Sequence, residues 1–348
     1  MMMQAAKLFG ANDIRVVTCP VPEIGDDEML LKTGAASICG SDLRMIANGY
    51  RGVDAEHPLT LGHEFSGTIV AVGKNVSTYK VGMRVAVAPN MGCGVCDRCI
   101  EGDTHLCPDY QAFGIHLDGG FAEYVRIVGA AIRQGNVMIL DDDVPLDQAS
   151  AIEPFSCVLN GQERIGIHPD DSVLIIGAGP IGIMHAMLAK LQGASHVYMY
   201  DLSADRLTLC AEVDPWLEPI VGDNLQGEIL KRTSGRGVDV CITACPSGAV
   251  QAQALALMAM NGRILYFGGL PANHDEVALH TNLIHYKQLL ICGSTRANVR
   301  HYREIARLLA AGRLSLDGIL SAHYPLERFA EAVDFSRSGK GLKTVISF

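Results

Sequence analysis

Hydrophobic and polar positions change their rhythm twice along this chain. In residues 5–36 the apolar positions come in short runs. Lys7-Leu8-Phe9, Ile14-Arg15-Val16-Val17 and Met29-Leu30-Leu31-Lys32 are separated by the turn residues Asn12-Asp13, Pro20, Pro22 and Gly25-Asp26. Residues 68–73 and 84–87 continue the pattern, with Gly82 at the turn between them, and residues 119–125 lead into another strand. Short strands with frequent turns predict a small antiparallel barrel. Around residues 146–159 the spacing of Ala149, Ala151, Ile152, Phe155, Val158 and Leu159 becomes helical. From Ser172 the rhythm changes again. Val173-Leu174-Ile175-Ile176 is a continuous apolar run, as a parallel strand covered on both faces requires. Further strands are predicted at residues 196–200, 238–243, 263–269 and, at a sheet edge, 289–294, with a helix over 251–260. Strands alternating with helices predict a doubly wound parallel sheet. The tail holds amphipathic runs at 305–309 and 329–335 and a closing strand at 343–346.

Composition narrows this picture. A chain of 348 residues suits two domains rather than one core. A formal net charge of −10 with no basic block argues against a binder of nucleic acid or of an anionic membrane. No apolar run reaches the roughly 18 to 20 residues of a membrane span. Met1-Met2-Met3-Gln4-Ala5-Ala6-Lys7 does not read as a secretory leader, so a cytoplasmic protein is expected. In that setting 11 cysteines, an odd number, argue for metal rather than a disulfide framework.

Four of those cysteines are spaced for one ion. Cys93, Cys96, Cys99 and Cys107 follow C-x2-C-x2-C-x7-C on a glycine-bearing loop, and four thiolates closing on zinc make a structural site without an open position. An iron–sulfur cluster uses similar spacings and stays open as the other metal reading. Elsewhere, Gly62-His63-Glu64 sets an imidazole beside a carboxylate. Cys39-Gly40-Ser41-Asp42 reads as a tight turn presenting thiol, hydroxyl and carboxylate, and Glu153-Pro154 puts an acid among apolar helical positions. The run after the strand at 173–176 is Gly177-Ala178-Gly179-Pro180-Ile181-Gly182, a G-x-G-x-x-G fingerprint in strand–turn–helix context. Asp201, about 20 residues further on, is placed to accept hydrogen bonds from a ribose and to repel a 2′-phosphate, which favours NAD over NADP. Arg206 lies close enough in sequence to bear on that choice.

Together these motifs resemble the medium-chain, zinc-dependent alcohol dehydrogenase family, and within it the sorbitol or polyol dehydrogenase branch. The motifs are Cys39-Gly40-Ser41-Asp42, Gly62-His63-Glu64, the loop from Cys93 to Cys107, Gly119-Gly120-Phe121-Ala122-Glu123-Tyr124, Gly177 to Gly182, and Glu153-Pro154. The resemblance implies a GroES-like, β-rich catalytic domain over 1–155, completed by 296–348. A Rossmann NAD-binding domain is inserted over 156–295, with the active site in the cleft. It also implies one structural and one catalytic zinc per chain, NAD as cofactor, and a homodimer or homotetramer. The reaction implied is hydride transfer between NAD and a secondary hydroxyl of a polyol or sugar derivative. Cys39 and His63 are carried over as zinc ligands. Glu153, directly or through water, or Glu64 supplies the remaining contact, and Ser41 takes the proton of the reacting hydroxyl. Gly177, Gly179, Pro180, Ile181, Gly182, Asp201, Arg206 and Arg296 are carried over as cofactor-binding.

The chain departs from the family at Arg44, where many members have a histidine that passes the proton to solvent. A guanidinium is a poor relay, and the proton must leave another way, past Tyr50 or His57. Cys157, one helical turn beyond Glu153, is a competing thiolate. A threonine dehydrogenase and a sugar-phosphate dehydrogenase are the alternatives within the family; for the latter Arg44, Arg51 and Arg296 are the phosphate candidates. A nucleotide-binding scaffold without catalysis is the alternative outside enzymes.

Overall fold

The strand Met29–Ser37 shows how the first sheet is built. Met29, Leu31 and Thr33 face inward and are buried, while Lys32 faces solvent, the alternation of a half-covered strand. From Ala35 to Ser37 every residue is buried, because a second neighbour arrives there. Along one edge the strand pairs antiparallel with Phe65–Val72. Its other edge takes Tyr124–Ile127 over Met29 to Lys32, then Lys343–Ser347 over Ala35 to Ser37. The computed structural model describes all residues, Met1–Phe348, and divides into two units: Met1–Ser156 with Arg296–Phe348, and Cys157–Thr295.

In the first unit a seven-stranded sheet runs in the order Val137–Ile139, Arg84–Val87, Phe65–Val72, Met29–Ser37, Lys343–Ser347, Leu320–Pro325, with Tyr124–Ile127 beside Met29–Ser37. A three-stranded sheet holds Asp13–Pro20, Met2–Gly10 and Leu59–Thr60. All pairings in these two sheets are antiparallel except Leu320–Pro325 with Lys343–Ser347, whose crossover is the helix Phe329–Ser338. Aromatic rings fill the core: Phe65 meets Phe113 edge-on at 5.8 Å between centroids, and Phe121 meets Phe329 at 4.9 Å. Truncating a buried ring of this kind to alanine costs about 3–5 kcal/mol. Gly62 sits against this cluster with φ 93°, and a Cβ there would lie 2.8 Å from the Phe121 ring. No other residue fits both the backbone angle and the space, so the turn that presents His63 requires glycine.

In the second unit Ser172–Ile176 is buried throughout, and the sheet is parallel. Its order is Glu218–Ile220, His196–Tyr200, Ser172–Ile176, Val238–Thr243, Met258–Tyr266, Leu290–Gly293. Numbered within the unit this is 3-2-1-4-5-6, a doubly wound sheet that reverses direction at Ser172–Ile176.

Three local expectations need correction. Cys39 to Asp42 is not a free turn but the start of the helix Gly40–Asn48: Asp42 Oδ2 accepts from Cys39 N at 2.9 Å, closing a capping box. The helical stretch around 146–159 is two helices, Leu146–Ser150 and Ile152–Ile165, broken at Ala151. Pro154 falls in the first turn of the second, where a missing N–H costs nothing. The helix expected at 251–260 runs over Gly248–Leu257, because Ser247 caps it three residues earlier than periodicity suggests, and Met258 already opens a strand. No helix is long and apolar enough to cross a membrane.

Candidate metal centres and nucleotide loop

The cysteine loop folds its four thiols together. The Sγ atoms of Cys93, Cys96, Cys99 and Cys107 lie within 4.8 Å of one another, with Cys96 to Cys99 at 3.5 Å and Cys96 to Cys107 at 3.7 Å. A tetrahedral ion with Zn–S bonds of about 2.3 Å sets its sulfurs about 3.8 Å apart, so the set fits a single zinc. An iron–sulfur cluster puts several metal atoms between the thiolates and needs them farther apart. Backbone donors surround the sulfurs: Cys93 N reaches Cys107 Sγ at 3.2 Å and Cys96 N reaches Cys93 Sγ at 3.4 Å. Hydrogen bonds from the N–H groups of Val95 and Cys96 lower the Cys93 thiol to about 7, while burial raises Cys99 to about 12. Gly92 leaves room for this packing, since a Cβ there would collide with Cys99 Sγ.

A second set is assembled from distant segments. Cys39, His63 and Glu64 bring their ligand atoms within 4.8 Å of one another, with His63 6 % exposed and Glu64 fully buried. Thiolate, imidazole and carboxylate are a donor set suited to zinc. The second layer supports this. Asp42, fully buried in the first turn of the Gly40–Asn48 helix, sets Oδ1 at 3.4 Å from His63 Nδ1. A carboxylate at that distance favours a proton on Nδ1, which would leave the Nε2 lone pair for a metal. Burial opposes charge on His63, but Asp42 and then Cys39 outweigh it and raise its pKa well above the ordinary value. Ser41 Oγ stands 3.3 Å from His63 Nε2.

Glu64 and Glu153 are held differently. Lys343 Nζ lies 2.7 Å from Glu64 Oε1 and 2.6 Å from Oε2, and Ser37 Oγ donates to Oε2. Sheet register brings them near: one step from the Phe65–Ala36–Ile346 row, Ser37 lies between Glu64 and Val345, and Lys343, two residues before Val345, projects from the same face of its strand. Burial works against the Lys343 charge, yet Glu64 and Cys39 raise its pKa. Glu153 is 8 % exposed in the first turn of Ile152–Ile165, and its charge also reaches Lys343. It is not one of the three residues whose ligand atoms share the 4.8 Å set. Lys343 and Asp42 are the partners that sequence reasoning missed. Asp42 had a signal, an acid three residues after the capping position. Lys343 had none, being 279 residues from Glu64.

In the second unit, Gly177 turns at φ 119° and Gly182 packs so closely that a Cβ would collide with Gly177 O. Above Gly179 a Cβ would meet no protein atom within 4 Å, leaving backbone open to a ligand at the N-terminus of the helix Pro180–Leu191. Pro180 takes the first position of that helix, followed by Ile181. Asp201 follows the neighbouring strand; its Oδ2 accepts from Ala178 N at 2.7 Å and its Oδ1 from Ser203 N at 2.9 Å. Arg206 lies in the first turn of Ala204–Val213, its N–H donated to the capping Ser203 Oγ at 3.4 Å. This cradle fits a dinucleotide. Arg296 belongs to the first unit, where it lies 3.8 Å from the Tyr110 ring centroid.

Known proteins carry the same pair of units. Residues 25–133 match the alcohol dehydrogenase GroES-like domain, and residues 180–311 match the zinc-binding dehydrogenase family. The sorbitol dehydrogenase of Bacillus subtilis is 35% identical over 336 residues, covering 95% of this chain and 93% of that protein. The sorbitol dehydrogenase of Bombyx mori is 33% identical over 349 residues, covering 98% and 97%. The structure of a zinc-binding dehydrogenase from Sinorhizobium meliloti 1021, bound to NADP, superposes with a TM-score of 0.90 at 29% identity over 100% of both chains. With these matches, two candidate metal sets and the nucleotide cradle together, the chain belongs to the medium-chain, zinc-dependent alcohol dehydrogenase family.

Proposed function

We propose that this enzyme interconverts a secondary hydroxyl of a polyol or sugar derivative and the corresponding ketone, with NAD as its hydride partner. The observation that carries this reading is the Cys39 and His63 pair with the buried Glu64 within 4.8 Å of both and a hydroxyl, Ser41 Oγ, beside the histidine. Zinc bound there supplies electrophilic polarisation of the reacting oxygen, and NAD bound at residues 177–182 supplies the hydride acceptor. The protein's own groups do the rest. Cys39 and His63 hold the metal, and Asp42 keeps His63 in the required tautomer. Glu153 completes the shell. Glu64, held on both oxygens by Lys343, acts as a fixed charge behind the ligands rather than as a ligand. Ser41 Oγ accepts the hydrogen bond of the substrate hydroxyl and, during oxidation, would take its proton while passing its own hydroxyl proton on toward solvent. Asp201 disfavours a 2′-phosphate and sets the preference for NAD.

The reading extends to setting and assembly. The eleven cysteines are all free thiols, as suits a reducing cytoplasm. The edge strand Leu290–Gly293 offers unpaired backbone for a homodimer or homotetramer.

The test follows absorbance of NADH while the zinc-loaded enzyme meets polyols, sugar acids, their phosphorylated forms and L-threonine. Turnover of a secondary polyol hydroxyl is expected, and the preference for NAD over NADP should fall roughly tenfold in Asp201→Ser. Turnover of L-threonine alone gives the enzyme to the amino-acid branch, and no oxidation with either cofactor overturns the reading.

A further inference from the structure

The first unit also holds a cavity of about 240 Å³, lined by residues of the three-stranded sheet and of the strand Tyr124–Ile127 and by none of the metal-ligating residues. Sheet register explains one wall. Met3, Ala5 and Lys7 alternate onto one face of Met2–Gly10. Cys19 pairs with Met3 and Thr60 pairs with Lys7, and directly opposed residues share a face. Met3, Lys7, Cys19 and Thr60 therefore meet the cavity together. Leu117, Ala122, Val125 and Val128 complete an apolar lining, and the exposed Pro20, Asp118 and Arg126 form the rim.

Two polar groups of that wall have bonding capacity to spare. Thr60 is 1 % exposed, and its Oγ1 has no hydrogen-bond partner in the protein, a state that buried hydroxyls seldom keep. Lys7 has a side chain 16 % exposed, and its ammonium carries three donors but meets one partner, Asp118 Oδ2, at 3.4 Å. Asp118 is also committed to the backbone, its Oδ1 accepting from Thr60 N at 2.8 Å. Lys7 and Arg126 stand against the single carboxylate of Asp118, so the lining has one positive charge in excess. Burial raises the pKa of the Cys19 thiol, which stays a neutral S–H and does not repel an anion.

The unfilled capacity is that of donors, and the remaining walls are apolar. Water filling the cavity would satisfy the donors but leave Met3, Leu117, Ala122 and Val125 wetted. A carboxylate on a short apolar body satisfies both. The volume equals that of roughly eight waters, which admits a short acid and excludes a fatty chain. We infer that this cavity is a binding site for a small apolar monocarboxylic acid, its carboxylate on Lys7 Nζ and Thr60 Oγ1 and its body against Met3, Leu117, Ala122 and Val125. The site is separate from the Cys39–His63–Glu64 set and does not depend on which alcohol the enzyme oxidises.

The test titrates the full-length, zinc-loaded enzyme calorimetrically with 4-methylpentanoate, its amide and acetate. The acid should bind saturably, one per chain, and at least about tenfold more tightly than the amide, which lacks the charge, or acetate, which lacks the body. Lys7→Met should weaken binding at least about tenfold, and Thr60→Val, which keeps the shape without the hydroxyl, roughly threefold to tenfold. Labelling of Cys19 by N-ethylmaleimide, mapped by mass spectrometry, should slow as the acid is added. Thr60→Val and the Cys19 label decide the matter if Lys7→Met does not fold. His63→Ala should bind the acid as the parent does. Three results overturn the inference: no saturable binding of the acid, equal binding of acid and amide, or binding that is lost in His63→Ala and kept in Lys7→Met. The last would give the carboxylate to the zinc.

Discussion

The two candidate metal sets of the first unit differ in how they are made. The cysteine set lies within one loop, its sulfurs reach toward solvent at Cys93, and its supporting hydrogen bonds come from the loop's own backbone. The Cys39–His63–Glu64 set is largely buried, joins two separated segments, and is supported by Asp42 from a helix cap and Lys343 from a distant strand. A four-thiolate set is closed and needs only loop geometry. A set that must leave room for chemistry needs its charges arranged from outside, and a sheet core is what can hold a lysine against a carboxylate with neither reaching water.

That contrast can be broken or sharpened by mutation. The largest effect is expected for His63→Ala. The initial rate should fall roughly 10³-fold or more while the chain stays folded and keeps about one zinc. Cys107→Ser should instead expose residues 90–112 to limited proteolysis and lower the thermal midpoint, with less than about tenfold loss of activity per folded molecule. If Cys107→Ser costs more activity than His63→Ala, the division between a holding site and a reacting site is wrong.

Next in size is Lys343→Met, which strands Glu64 as a buried, uncompensated charge. Urea unfolding should show a loss of about 3–5 kcal/mol. Adding Glu64→Gln should restore more than half of it, and penalties that simply add would mean the pair is not coupled. The smallest effect is expected for Asp42→Asn, which removes the charge behind His63 but keeps the helix cap. Competition with a chelator should show zinc held about 10- to 100-fold more weakly at the buried site. Unchanged affinity would leave Asp42 as a cap alone.

The same contrast explains what could be read from residue order. The cysteine loop and the glycine turn were legible because their chemistry is local: C-x2-C-x2-C-x7-C and G-x-G-x-x-G bring donors together whatever the rest of the chain does. The doubly wound sheet was legible because a strand covered on both faces is a continuous apolar run, as Val173-Leu174-Ile175-Ile176 is. Gly62-His63-Glu64 was visible as a pair, but the different circumstances of its two members were not. Glu64's partner lies 279 residues away and is set by sheet register. The helix Gly40–Asn48 was missed because glycine and serine open it, and both favour turns. Its cap depends on an Asp42 side chain bending back to Cys39 N, a bond that periodicity does not report.

The strand that brings Lys343 also sets a timetable. At roughly 5–20 residues per second of synthesis, Glu64 leaves the ribosome some tens of seconds before the lysine that neutralises it. During that interval the register that pairs the acid with its lysine does not yet exist. The cysteine loop is complete within its own short stretch and is free to close at once. The order of assembly is therefore written into the topology: the holding site matures during translation, and the reacting site only after the sheet has received Lys343–Ser347.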